Sequence, residues 1–430
     1  MRSFSIFLCA VFFGLLVNHL SFGQRAASPY SAIGIGKINE NTLIYNQNMG
    51  GLGLSHGTPW ILNWVNPALL AKNSFTSFEA AFTYENNDVS TSSINENFRS
   101  GFANYILLGF PIKTGKMGMM IGLAPYSSVN YDVFTIDSLE SAQRNLVYNY
   151  TGNGGAAQLF LAAGYTPFKN FYVGGKVTYL FSTIERLSVI NWVPEPGESF
   201  LPSVYSLETR FSDFKFNGSA AYEWRVSDKN SINFGVTYDF AADINVFSTE
   251  ELQLRFQQDI GENVSDTVVL QGETKNIMKF PSRFGAGVSY SRGYKWLIGM
   301  DFYSEQFSAF RNENGENNSY GDSYKMIIGG KFVPDPTSVT SYLKRVTYQL
   351  GGYYSQSPYL INGATVDDFG INFGVSLPVG AVSTANLGFN WGKMGTTEDG
   401  SIQEDYYKIS LSIGFNDQSF GWYRKQRKFN

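Results

Sequence analysis

The sequence predicts an all-β protein: a transmembrane up-and-down antiparallel β-barrel of about 14 strands, with an N-terminal hatch in its lumen. Three observations carry this expectation. From Ser74 onward, apolar and polar residues alternate with a period of two, which puts one strand face in an apolar medium and the other in water. Short and long connections alternate along the whole chain, as in a barrel with tight turns at one rim and long loops at the other. Ahead of the strands, Ser28 to Leu70 has no clean period and is punctuated by Gly34, Gly36, Gly50, Gly51, Gly53 and Gly57. Glycines at that density let a backbone turn sharply and pack closely against other surfaces.

In chain order, residues 1–23 read as a secretory signal peptide. Arg2 precedes an apolar run from Phe4 through Val17, and Ser21 and Gly23 take the small-residue positions before Gln24. Cys9, the only cysteine, falls inside this leader, so the mature chain has neither disulfide nor thiolate metal site. Residues 24–72 form the expected hatch and 73–416 the barrel. Residues 417–430 form a basic tail around Arg424, Lys425, Arg427 and Lys428, expected on the periplasmic side, where it could meet anionic headgroups.

Within the barrel, alternation places strands near 77–84, 102–112, 117–129, 156–166, 171–184, 205–226 and 231–245. The remaining seven fall near 283–290, 294–304, 322–333, 344–355, 367–377, 383–392 and 405–415. The last is clean: Tyr407, Ile409, Leu411, Ile413 and Phe415 alternate with Lys408, Ser410, Ser412 and Gly414. Leu411→Arg on the lipid face is expected to cost roughly 2–4 kcal/mol near midplane, and Ser410→Arg or Ser412→Arg less. Tight turns fall at 113–116, 167–170, 227–230 and 291–293. Long connections fall at 86–100, 130–150, 186–203, 246–280, 305–320, 356–366 and 393–404, of which 246–280 has room for a further hairpin. A soluble sandwich would share the alternation but has no reason to keep this strict order of connections.

Composition narrows the function classes. Without Arg2 the chain has 31 basic and 36 acidic residues, which argues against nucleic-acid binding. Aromatics make up 16% of the residues and charges only 16%, which suits a wall in contact with outer-membrane lipid. No apolar run of spanning length exists outside the leader, so a spanning helix is not expected. His56 is the only histidine after processing; with no second histidine or cysteine it makes no zinc site. No serine is marked as its partner, so neither an enzyme nor a cofactor is expected.

Gly50-Gly51-Leu52-Gly53 superficially resembles a phosphate loop, but no strand leads into it and no helix follows; close packing of the hatch is the expected role. Asn66-Pro67-Ala68 reads as a stiff corner, because proline fixes φ and biases the residue before it to an extended shape. It is expected to mark the junction of hatch and wall. Trp192, Phe200 and Leu201 lie in a proline-bearing loop that fits a ligand rim or a partner contact.

Three stretches also resemble the FadL family of outer-membrane transporters for hydrophobic molecules. They are Tyr30-Ser31-Ala32-Ile33-Gly34-Ile35-Gly36, Met49-Gly50-Gly51-Leu52-Gly53 and Asn66-Pro67-Ala68-Leu69-Leu70. Phe280 through Tyr290 is similar to a strand entry that recurs in that family. The C-terminal region, from Phe369 onward, resembles the Bacteroidota-type branch, which includes a shuttle-like subunit of the type IX secretion system. The resemblance implies passive, hatch-gated passage of a hydrophobic, long-chain fatty-acid-like ligand. The alternative is a non-transporting barrel subunit of a secretion or assembly complex, with a protein partner. A transporter should show a continuous apolar path behind Asn66-Pro67-Ala68, which is what separates the two.

Overall fold

The computed structural model describes residues 27–40, 42–92, 94–139, 144–192, 203–255, 264–317, 320–361, 363–379, 383–398 and 401–417. The expected leader and basic tail lie outside them. The wall comprises β2 (Thr76–Ser90), β3 (Asn95–Lys113), β4 (Met117–Leu139), β5 (Arg144–Phe168), β6 (Phe171–Trp192) and β7 (Ser203–Arg225). It continues through β8 (Asn230–Asp239), β9 (Ala242–Arg255), β10 (Val264–Phe280), β11 (Arg283–Arg292), β12 (Trp296–Glu305) and β13 (Ser323–Phe332). It ends with β14 (Thr347–Ile361), β15 (Ala364–Val379), β16 (Ser383–Gly395) and β17 (Gln403–Asp417).

Neighbours pair antiparallel, and β17 pairs with β2 over its whole length, Gln403↔Ser90 to Asp417↔Thr76, which closes the barrel. β8 and β9 share the same neighbour, β7, and β11 and β10 pair with them in turn. The sixteen strands β2 to β17 therefore occupy fourteen wall positions, two of them interrupted. The interruptions are adjacent, at 240–241 and at Pro281-Ser282, between the pairs Asp239↔Arg283 and Ala242↔Phe280. Proline without an N–H donor cannot continue the ladder, so the break falls there. The expected strand entry at Phe280 to Tyr290 is thus a break inside one wall position.

Alternation holds where the wall crosses an apolar medium. On β12, Ile298, Met300 and Phe302 face outward, while Leu297, Asp301 and Tyr303 are buried inward. Exposed Phe82, Ile106, Ile121, Leu161, Val236, Ile328, Leu350, Phe373 and Leu411 continue this apolar belt around the wall. A belt of that extent has no place in water and is what lipid covers. Among the described residues no helix is long and apolar enough to cross a membrane.

The expected long loops are mostly strand. β4 and β5 run 23 and 25 residues and take up most of 130–150, and β9 with β10 fills most of 246–280 as one hairpin. That hairpin prolongs two existing wall positions and adds none. The barrel is lopsided: β4 to β7 have 22 to 25 residues. β11, β12 and β13 have 10 each, the bare length for a crossing.

The leading segment, residues 27–75, packs against the inward faces of this wall. It holds 3-10 turns at Pro29–Ala32 and Pro67–Lys72, the short strand β1 (Lys37–Ile38) and the single-turn helix α1 (Ile44–Gln47). β1 pairs with β4, Lys37↔Ser128 and Ile38↔Ser127.

Candidate functional site in the lumen

The leading segment makes three apolar clusters with the wall, the smallest being Ala68, Leu69 and Ala71 against Tyr172 and Ala221, and a charged cavity lies between the two larger ones. In the first cluster Tyr30 and Ile35 pack with Tyr126, Phe280, Phe307, Phe310, Tyr320 and Tyr359. The Tyr320 ring lies 4.8 Å from Phe310 and 5.3 Å from Phe307, separations at which aromatic pairs attract. Polar groups tie the same stretch down. The Ile38 N–H donates to the Tyr359 hydroxyl at 2.9 Å, and that hydroxyl donates to the Gly36 carbonyl at 3.1 Å. Ser28 and Lys37 both meet the buried Glu404 carboxylate, and Arg186 donates to the Gly34 carbonyl. Burial and the nearby Glu404 charge raise the Tyr30 hydroxyl pKa, so that it remains a donor, here to the Ile402 carbonyl.

The second cluster joins Leu43, Ile44, Met49, Leu52, Leu54, Leu62 and Trp64 to inward wall residues such as Leu107, Phe160 and Ile327. Here the segment's backbone lies directly on wall glycines. An added Cβ would strike the Leu70 carbonyl at Gly118, the Pro67 carbonyl at Gly164 and the Ala68 nitrogen at Gly174. Further round, it would strike the Leu54 carbonyl at Gly235, the Met49 carbonyl at Gly329 and Gly351, and Asn48 at Gly374 and Gly388. These glycines come from eight different strands, so the belt runs around most of the wall.

Of the predicted residues, Gly50 and Gly51 have φ of +77° and +103°, which L side chains rarely adopt. A Cβ at Gly50 would also meet the Gly352 carbonyl. The Gly53 N–H donates to Asp301 Oδ2 at 2.8 Å, and the Leu54 N–H joins it at 2.9 Å. The buried Asp301 carboxylate on β12 thus accepts two segment amides.

Asn66 is fully buried and works in three directions. Its Nδ2 donates to the Leu54 carbonyl (2.6 Å) and to the wall carbonyl of Ala220 (3.2 Å), and its Oδ1 accepts from the Ala68 N–H. Pro67 opens the 3-10 turn, and the Ala68 N–H also donates to Ser219 Oγ at 3.0 Å. The structure therefore seats Gly50, Gly51 and Gly53 among the residues of the second cluster, and Asn66, Pro67 and Ala68 at the start of the turn that carries the third. Trp192 is the last residue of β6, while Phe200 and Leu201 lie outside the described residues.

His56 is no isolated turn residue. Its Nε2 lies 3.1 Å from Lys331 Nζ, which also donates to the Tyr45 hydroxyl. Ser412, expected to face an open lumen, is fully buried: it donates to Glu79 Oε1 and accepts from Asn386. A buried, hydrogen-bonded Ser412 leaves no room for arginine, so Ser412→Arg is expected to be damaging and not mild. Sequence reasoning missed Asp301 and the wall glycines. The available signal was glycine recurring at inward parity, as at Gly287, Gly299, Gly329 and Gly351.

The cavity between the clusters has a volume of about 250 Å³. One inward row crosses it strand by strand: Lys176 opposite Asn217, Asp239, Arg283 and Glu305. Lys215 adds a further cation, 5.1 Å from the Phe280 ring centre. The lining is mixed: this charged row shares the cavity with Trp64, Tyr126, Leu180, Phe307 and Met394. Behind Asn66-Pro67-Ala68 the wall lies against the segment at Gly164, Gly174, Ser219 and Ala220. Among the described residues no three histidine, cysteine or carboxylate side chains converge as a metal set.

A family model described as BamG matches residues 5–430. No curated protein matches the sequence. Solved structures of the same fold include the Ralstonia pickettii toluene transporter TbuX, at 12% identity and a TM-score of 0.56, covering 88% of this chain and 99% of that one. The Pseudomonas putida toluene transporter TodX gives 13% identity and 0.54, covering 88% and 98%. A Pseudomonas aeruginosa FadL homologue gives 10% and 0.53, covering 92% and 98%. With its closed wall and apolar belt, the molecule is a multi-pass β-barrel of the outer membrane.

Proposed function

The chain belongs to the BamG family, and on that premise we propose that it is a hatch-closed barrel acting as a subunit of a larger outer-membrane assembly. Its task in this reading is to hold partner proteins, with residues 27–75 as a built-in plug. The carrying observation is the belt of wall glycines that clasps the segment's backbone from Gly118 on β4 to Gly351 on β14, and holds the Asn48 side chain at Gly374 and Gly388. Opening a path there means withdrawing backbone from backbone, with Asp301, Asn48 and Asn66 each losing partners. The charged row in the cavity supports the same reading. Apolar surface moving past Lys176, Asp239, Arg283 and Glu305 gains less than the roughly 25 cal/mol per Å² that would drive passive partition.

A second reading is passage of hydrophobic small molecules, with fatty-acid-like ligands as its narrowest form. It is favoured by the shared fold with the toluene transporters and by the aromatic first cluster, through which an apolar ligand would enter. Two measurements separate the readings. One is the protein content of the complex purified under mild detergent. The other is uptake of a labelled hydrophobic probe by cells carrying the full chain or a deletion of residues 28–64. A stoichiometric partner and probe uptake unaffected by the intact protein support the subunit. Uptake that needs the intact protein and stops on deletion would sink it and establish the second reading. Deletion should in either case admit small polar solutes; unchanged permeability means the segment is not a plug.

A further inference from the structure

β4 loses its neighbour partway up. β3 pairs with β4 only from Lys113↔Met117 to Ile106↔Leu123, and above that level β3 bonds only β2. The leading segment takes over the vacated edge. β1 pairs with Ser127 and Ser128, the Ser28 N–H donates to the Asn130 carbonyl at 3.0 Å, and the Asn130 N–H donates to Ser31 Oγ. Ala27 then turns away, its carbonyl accepting from Asn87 on β2. With a period of two, the residues whose N–H and C=O face the same edge as those of Asn130 are Asp132, Phe134 and Ile136. Among the described residues no backbone group bonds that edge above Asn130.

The same tall sheet has a second edge, β10, and it is blunted. Its register with β9 shifts at Val264/Asp266, Val269/Gln271 and Gln271/Thr274, and Lys275 and Lys279 stand along it. Bulges and lysines are the usual devices that keep an edge from pairing. The β4 edge has none of them: register with β5 is regular from Ser127 to Leu139, and Val129 to Leu139 contains no Lys, Pro or Gly. Instead it exposes Phe134 by 60% and Ile136 by 62%.

We propose that the β4 edge from Asp132 to Ile136 is a strand-addition site for an extended segment of a second, different polypeptide. The inference rests on the subunit reading and names its contact surface. Six backbone groups on a regular strand, without a partner among the described residues, are matched by another strand, and β1 already pairs with this edge lower down. The added strand would place apolar side chains beside Phe134 and Ile136 and a Lys or Arg beside Asp132. A second copy of this chain does not fit. Isologous antiparallel pairing of β4 with itself needs one copy inverted, whereas copies in one membrane share their orientation.

The test is proline at a position whose N–H faces the free edge. Phe134→Pro and, separately, Ile136→Pro keep the β4–β5 ladder, because the lost N–H does not serve it. A photo-crosslinking side chain at Phe134 in the full-length protein reports the neighbour directly, its adducts mapped by mass spectrometry. The expected result is adducts on one extended segment of a co-purifying protein. Each proline variant should lower recovery of that protein about tenfold or more, with heat-modifiable barrel migration unchanged. If the partner remains bound at full yield in both variants and adducts fall elsewhere, the edge assignment is overturned while the subunit reading stands. If the wild-type chain carries no partner at all, both fail.

Discussion

The leading segment meets the wall twice, in two different chemistries. From Ala27 to Asn39 a short backbone ladder runs along β4, and the rest of the contact is made by side chains: rings of Tyr320, Phe310 and Tyr359, with Glu404 and Arg186 holding polar groups. From Leu43 to Lys72 it is made by backbone lying on wall glycines. Rings and flexible side chains can repack around a small change, whereas a carbonyl lying against a strand has nowhere to go. The difference assigns the two contacts different work. In the proposed plug, the aromatic stretch is the part that seals, and the glycine-lined stretch the part that fixes the segment in place.

The comparison breaks most readily at the glycines. Gly235→Val and Gly351→Val each force a side chain into the Leu54 or Met49 backbone, and should destabilise the seated segment by about 3 kcal/mol or more. The check is thermal melting in detergent together with protease cleavage within residues 40–60, which should become fast while barrel migration persists. Gly293, at a turn with open space around it, serves as the control position; Gly293→Asn should leave cleavage unchanged. If Gly235→Val seats its segment normally, the belt does not fix it.

Next in size is Asp301→Ala. It strands the Gly53 and Leu54 amides in a buried site, at about 2–3 kcal/mol, and the same protease assay reads it. On the aromatic side, Tyr359→Phe removes an acceptor for Ile38 and a donor to Gly36 but keeps the ring. Its cost should be smaller, about 1–2 kcal/mol, with new cleavage confined to residues 28–39. Equal effects on both stretches would mean that the two contacts form one cooperative unit.

How much of this was legible beforehand follows from where the chain meets lipid. Alternation marks a strand only while its two faces see different media. On β12 and β17 they do, and the wall strands, barrel closure and fourteen positions could be read. Beyond Tyr131 on β4, residues 132–136 are exposed on both faces, as are 267–273 on β10. The period-two signal dies there, and extended hairpins read as loops. The candidate site divides the same way. Gly50, Gly51 and Gly53 stand out because they cluster in sequence. Gly235, Gly329 and Gly351 act as a set only once the barrel has closed, and Asp301 is one carboxylate among many until the Gly53 and Leu54 amides reach it.

The smallest effect is the most specific to the fixed stretch. His56 lies within it, and burial holds its imidazole pKa well below the ordinary 6.5, with the ammonium groups of Lys331 and Lys72 adding repulsion. In the unfolded chain the ring takes up a proton as pH falls through about 6.5, whereas in the folded chain it stays neutral and accepts from Lys331. The unfolded state therefore binds more protons below that pH. The His56 contribution to stability is complete above it and declines below it, by up to about 1.4 kcal/mol per pH unit until the folded ring itself protonates. His56→Gln keeps an acceptor for Lys331 but cannot titrate. Melting midpoints of the two proteins should lie close together at pH 7.5, and at pH 5.5 the wild type should have fallen further. Carboxylates that titrate in the same range are common to both chains and cancel in the difference. Parallel profiles from pH 7.5 to 5.5 would mean that His56 is not held neutral, and that Lys331 finds its acceptor elsewhere.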